Sequence, residues 1–188
     1  MMGQRDNLWV SLPPGPDVPG VVHALIEIPK GSRNKYEYDK HLGVFRLDRV
    51  LYSPLHYPGD YGLIPQTLAE DGDPLDILVM VSEPTFVGCV IQARPLGLFR
   101  MVDHATPDHK VLAVPATDPL FADDHDLRDV PRHFLAEVAH FFKTYKDLEG
   151  IGVEPLGWEP AAAAREEVLR SVERYRERYS LHQATAQA

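Results

Sequence analysis

Three aspartates fall within the six residues Asp71-Gly72-Asp73-Pro74-Leu75-Asp76, which run directly into the apolar stretch Ile77–Val81. Gly72 permits a tight backbone and Pro74 fixes one φ angle. A stiff turn thus holds three acids together where a buried strand begins. Carboxylates packed at close range raise their own pKa values unless cations compensate them. Hard divalent ions remove that conflict, and magnesium favours oxygen ligands, near-octahedral geometry and retained waters. The cluster reads as a magnesium site, set against the plainer reading of a solvated acidic turn.

Other segments add weight to the first reading. Asp103 and then Asp108-His109-Lys110 lie between two apolar runs, and a hairpin there would bring both aspartates to one rim of a sheet. Basic and phenolic residues are spread through Lys35-Tyr36-Glu37, Asp48-Arg49, Tyr57–Gly62 and Tyr145-Lys146-Asp147. Arginine offers planar bidentate hydrogen bonding to phosphate, and lysine a compact charge. Glu27 is an acid inside the apolar run Leu25–Ile28, where simple strand alternation points it outwards.

The elements that must position these groups change character along the chain. Residues 1–20 are polar and proline-rich and read as an irregular arm. From Val21 to about Val114 the signals are mostly strand: Val21–Ile28, Val44–Val50, Ile77–Val81, Val90–Ala93, Gly97–Val102 and Lys110–Val114. Their short spacing predicts a small antiparallel barrel or curled sheet. Asp129 and Pro131 mark a helix start, after which Phe134, Leu135, Val138, Phe141, Phe142 and Tyr145 follow a helical period. A second helix is expected from Pro160, with Glu166 and Arg170 as a supportive i,i+4 pair. One domain over 21–180 is expected, with 181–188 as a frayed tail.

Composition narrows the function classes. The 188-residue chain carries a formal net charge of −9, which argues against nucleic-acid or anionic-membrane partners. Its one cysteine, Cys89, cannot form an internal disulfide and suits a reducing compartment. No stretch has the length of a membrane span, and the N-terminus lacks a signal-peptide apolar block, so a cytoplasmic location is expected.

Read in order, the segments resemble the soluble family I inorganic pyrophosphatases. The family signature D-x-D-P-hydrophobic-D-hydrophobic is matched by Asp71–Ile77, and the resemblance runs from about Glu27 to Tyr175. It includes IEIP (26–29), KYE (35–37), DR (48–49), YPxDYG (57–62), ARPLG (93–97), MVD (101–103), AVP (113–115) and HFFKTYKDLE (140–149). The resemblance implies a five-stranded OB-like β-barrel with flanking α-helices, an α+β fold that is mainly β. It implies pyrophosphate as substrate, several Mg2+ ions per site and a homo-oligomer, in compact bacterial-type members a hexamer. Carried over position by position, Asp71, Asp76 and Asp108 would ligate metal, Asp103 with Asp108 would hold a further ion, and Glu27 would act through metal-bound waters. Asp73 would be the general base and Tyr61 would lie near the nucleophile. Lys35, Arg49, Tyr145 and Lys146 would hold phosphate, Lys110 would support the site, and Glu37 and Tyr57 would line it. The chain departs from many relatives at His104, where a second acid is common, and in Gly150–Glu154, which lacks the lysines often found there.

Three other readings fit the residues less well. An aspartyl-nucleophile phosphatase would use D-x-D-x-T/V, but Leu75 replaces the Thr or Val and the motif precedes a strand. A calcium-binding module would need an EF-hand loop, which is absent. A non-catalytic homologue would be expected to have lost site residues, and none is missing.

Overall fold

The computed structural model describes residues 7–185, with side chains to 179. Its strands are β1 (Val22–Ile28), β2 (Asn34–Asp39), β3 (Val44–Val50), β4 (Asp60–Leu63), β5 (Asp76–Val79), β6 (Val90–Asp103), β7 (Thr106–Pro107), β8 (Lys110–Pro115) and β9 (Val153–Pro160). The helices are α1 (Leu8–Ser11), α2 (Arg132–Thr144) and α3 (Ala161–Thr185). Five strands close a ring, β1 to β4 to β5 to β8 to β6 and back to β1, which is the OB-like arrangement expected. β2 and β3 form a separate hairpin, and β9 extends β6 outside the ring.

The ring is not wholly antiparallel as the strand pattern suggested. β5 and β8 run parallel, so Asp76 sits directly beside Lys110. Alternation along the ring strands sends side chains to two cores. Ile77, Val79, Val111 and Ala113 pack with Ala164, Val168 and Val172 of α3. Leu78, Leu112 and Val114 pack with Val138, Phe141 and Phe142 of α2. The two helices thus brace opposite faces of the strands that carry Asp76 and Lys110.

The runs Val90–Ala93 and Gly97–Val102 belong to one long strand. The break between them is a bulge between Pro95 and Gly97, a place where a proline without an N–H can sit inside a sheet. α2 begins after Pro131 as its N-cap, while Asp129 serves the preceding turn by accepting the amide N–H groups of His125 and Asp126 at 2.9 Å. Glu166 and Arg170 form the expected pair on α3.

Residues 1–6 of the expected arm lie outside the described residues, but from Asn7 the arm is docked. Trp9 is buried against Tyr175 and Tyr179, with ring centroids 5.5 Å apart in both pairs. Of the expected tail, the helical backbone continues through Thr185, and 186–188 lie outside the described residues.

Candidate active site

Two bulges shape the acid-bearing strands, and one of them turns Glu27 into the pocket. Between β1 and β4, Ile26 faces Gly62 and Ile28 faces Tyr61, which leaves Glu27 as an extra residue. The bulge breaks alternation, so Ile26 and Ile28 enter different cores and Glu27 turns inwards instead of to solvent. Its carboxylate accepts the Tyr38 amide N–H at 2.7 Å. In the β2–β3 hairpin, Lys35 faces Arg49 and Tyr36 faces Leu47, so Asp48 is the extra residue there. Lys35 Nζ lies 3.3 Å from Asp48 and also pairs with Glu37.

The acid turn is held by its own backbone. Asp73 N–H donates to Asp71 Oδ1 at 3.0 Å, and Ala69 N–H donates to the Asp73 carbonyl at 2.7 Å. Gly72 has φ +91°, a conformation that favours glycine. The segment after Asp103 is the hairpin expected. Asp103 pairs with Thr106 across a two-residue turn in which His104 and Ala105 both have positive φ, 48° and 64°. The C-terminus of α2 delivers Tyr145 and Lys146 to the same rim, where Lys146 pairs with Asp103.

These segments enclose one cavity of about 300 Å³. Glu27, Lys35, Glu37, Tyr61, Asp71, Asp73, Asp76, Asp103, Asp108, Lys110, Tyr145 and Lys146 all line it. Two expected residues stand off the wall. Tyr57 is buried behind it, between the rings of Tyr61 at 5.4 Å and Phe141 at 4.8 Å. Arg49 is turned to Asp48 and to Glu149, whose Oε1 accepts from Arg49 Nε at 3.1 Å. Lys40 is a wall residue that the sequence reading missed, and its Nζ lies 2.6 Å from Asp73 Oδ1. A lone lysine at a hairpin end carries no local signal; only the pairing of β2 with β3 brings it round.

Electrostatics show what the cavity lacks. Seven carboxylates meet four ammonium groups on its wall. Lys110, almost fully buried, bridges Asp76 and Asp108. Burial works against its charge, but the two carboxylates override that and hold its pKa above the usual lysine value. Asp76 is raised, chiefly by burial and further by Asp108, although Lys110 opposes both. One ammonium faces two half-buried carboxylates, which leaves one negative charge over. Burial likewise raises Asp71, and pushes Glu27 up to about 8. Asp103 is the exception: burial raises it, but the Lys146 ammonium wins and holds it below the usual range. Burial keeps Tyr61 and Tyr145 well above the ordinary phenol value, so both remain hydrogen-bond donors.

Among the described residues, no three His, Cys, Asp or Glu side chains stand close enough to enclose a metal ion as they are placed. Lys110 stands between Asp76 and Asp108 instead. The donor set is nonetheless all oxygen, carries excess negative charge, and includes Asp103 Oδ1, a buried atom without a hydrogen-bond donor although His104 Nδ1 approaches to 2.8 Å. That chemistry fits hard divalent cations. Among the described residues no helix is long and apolar enough to cross a membrane.

The chain is similar to known proteins over most of its length. The family model described as "Inorganic pyrophosphatase" matches residues 24–176. An inorganic pyrophosphatase of Halalkalibacterium halodurans is 57% identical over 158 residues, covering 84% of this chain and 97% of the relative. One from Haloferax volcanii is 49% identical over 175 residues, covering 93% and 99%. The crystal structure of an inorganic pyrophosphatase from Thermus thermophilus superposes with a TM-score of 0.88 at 48% identity, covering 91% of this chain and 99% of that one.

Proposed function

Because the chain belongs to the inorganic pyrophosphatase family, we propose that it hydrolyses pyrophosphate to two phosphates by direct attack of water, with magnesium as the working metal. The observation that carries the reading is the charge imbalance of the cavity: even with Glu27 protonated, six carboxyl groups face four ammonium groups around about 300 Å³. An anionic substrate enters such a pocket only with cations. Asp71, Asp76 and Asp108 would hold them, with Asp103 and Glu27 completing the set. Bound magnesium supplies neutralisation of phosphate oxygens and a lower pKa for the water at the site.

The chain's own residues do the rest. Asp73 stands on the rim with its side chain largely exposed and accepts the proton of the attacking water. Lys35, Lys146 and the phenol of Tyr145 bind phosphate oxygens, and Tyr61 donates near the water. Arg49 joins them by exchanging Glu149 for a phosphate, a swap that keeps its charge paired. Lys110 fixes Asp76 and Asp108. Water attacks one phosphorus, the bridging P–O bond breaks, and the second phosphate leaves with the bond's electrons. No covalent enzyme intermediate is required.

The test is phosphate release from pyrophosphate with magnesium and with chelator, for the wild type and Asp73→Asn. Metal-dependent turnover and a loss of about 10²–10⁴-fold in the variant are expected. Turnover indifferent to chelator, or to the substitution, contradicts the reading. Composition and the family resemblance further support a cytoplasmic homohexamer with residues 21–180 as one domain. A monomer in light scattering at micromolar concentration would count against the hexamer.

A further inference from the structure

The arm before β1 has no part in the chemistry above, yet it touches Lys40 and, through Thr67, the loop that carries Asp73. Asp73 sits on a glycine turn with an exposed side chain, and its carboxylate has no burial to fix its rotamer. Lys40 comes from the end of the β2–β3 hairpin, a different element. Its Nζ lies 2.6 Å from Asp73 Oδ1 and 4.9 Å from the centroid of the Trp9 ring. An ammonium over an indole face is held electrostatically by the ring quadrupole.

Trp9 is itself fixed from three directions. Its indole N–H donates to the Thr67 carbonyl at 3.1 Å, its own carbonyl accepts from Gln66 N–H at 2.9 Å, and its ring packs on Tyr175 and Tyr179. Thr67 in turn anchors the acid loop, since its Oγ1 accepts from Leu75 N–H at 2.9 Å. Asn7 Nδ2 donates to the Lys40 carbonyl at 2.9 Å. The indole therefore has one hand on the loop that carries Asp73 and the other on the cation that holds it.

We propose that Trp9 and Lys40 are positioning residues for Asp73: the indole face seats the Lys40 ammonium, which pins Oδ1 and leaves Oδ2 aimed for the proton. This rests on the reading of Asp73 as the base. A general base must be held within hydrogen-bond reach of its proton, and small misplacements are costly.

The test is a set of cycles in kcat and KM on the full chain, using Lys40→Met, Trp9→Leu, Trp9→Phe and Asp73→Asn. Magnesium affinity is measured alongside by calorimetry without substrate. Lys40→Met and Trp9→Leu should each lower kcat about tenfold, inside the roughly hundredfold that a 1 Å misplacement can cost. KM and magnesium affinity should stay within about twofold, because no proposed metal ligand is touched. The double variant should lose no more than Lys40→Met, Trp9→Phe should keep most of the activity, and neither change should lower the residue left by Asp73→Asn.

Multiplying losses would mark a merely structural arm and overturn the proposal. So would a raised KM at constant kcat, which would make Lys40 a phosphate ligand. Should Trp9→Leu fail to fold, Lys40→Met and Trp9→Phe still decide it: unchanged kcat in Lys40→Met, beside an inactive Asp73→Asn, sinks the relay alone. Full activity in Asp73→Asn sinks the reading of the base beneath it.

Discussion

Replacing Lys110 by methionine removes the ammonium that bridges Asp76 and Asp108, while keeping most of the length of the side chain. Lys110 is 3% exposed, so water cannot take over its role. Breaking a buried ion pair from one side costs about 3–5 kcal/mol, because a charge is left without its partner. Part of that is recovered when Asp76, already raised by burial and by Asp108, takes up a proton. A net loss of about 3 kcal/mol corresponds to a fall in Tm of roughly 6–12 °C for a chain of this size. The assay is thermal unfolding of both proteins in chelator and across a magnesium titration. Magnesium should raise the Tm of Lys110→Met by more than that of the wild type, since the ion supplies the missing positive charge. Equal Tm values in chelator, or an equal magnesium effect on both, would refute the view that ammonium and metal answer the same carboxylates.

Asp60 is fully buried and accepts from the Lys30 amide at 2.8 Å, the Thr85 amide at 3.0 Å and the Thr85 hydroxyl, so Asp60→Ala should cost about 3–5 kcal/mol in urea unfolding. Gly62→Ala should be comparably damaging, because its Cβ would fall 2.0 Å from the Leu25 carbonyl oxygen and force β1 from β4; circular dichroism melts check this. Glu27 is held at about 8 in the folded chain against 4.5 unfolded. Between those values the native state keeps a proton that the unfolded chain has released, so stability in chelator falls as pH rises through the window. Glu27→Gln removes that slope and should gain roughly 2–4 kcal/mol relative to the wild type between pH 5 and pH 8, read from urea midpoints.

Much of the site was legible because its chemistry is packed into short segments. Asp71, Asp73 and Asp76 share one turn, and Tyr145 with Lys146 share one helix end, so their neighbourhood follows from local sequence. The ring strands β1, β5 and β8 were legible for a similar reason, their apolar residues being dense and bounded by breakers. β2 and β9 were not: Asn34–Asp39 is almost wholly polar, and Val153–Pro160 contains two prolines and a glycine, so both look like loop until a partner strand pairs with them. Alternation alone would point Glu27 outwards, because a bulge leaves no mark on a single strand; it exists only in the register against β4, and the resemblance, not the local pattern, put Glu27 in the site. Lys40 and Trp9 were hidden for the same reason, since their meeting depends on a hairpin and an arm converging from separate parts of the chain.

The account stands on the acidic wall of the cavity acting as one cation site. Anomalous diffraction from crystals soaked in Mn2+ with a non-hydrolysable pyrophosphate analogue tests this most directly. Peaks bounded by Asp71, Asp76 and Asp108, with Lys110 displaced from between the last two, are the predicted result. Peaks elsewhere on the surface, with Lys110 still bridging Asp76 and Asp108, would contradict it.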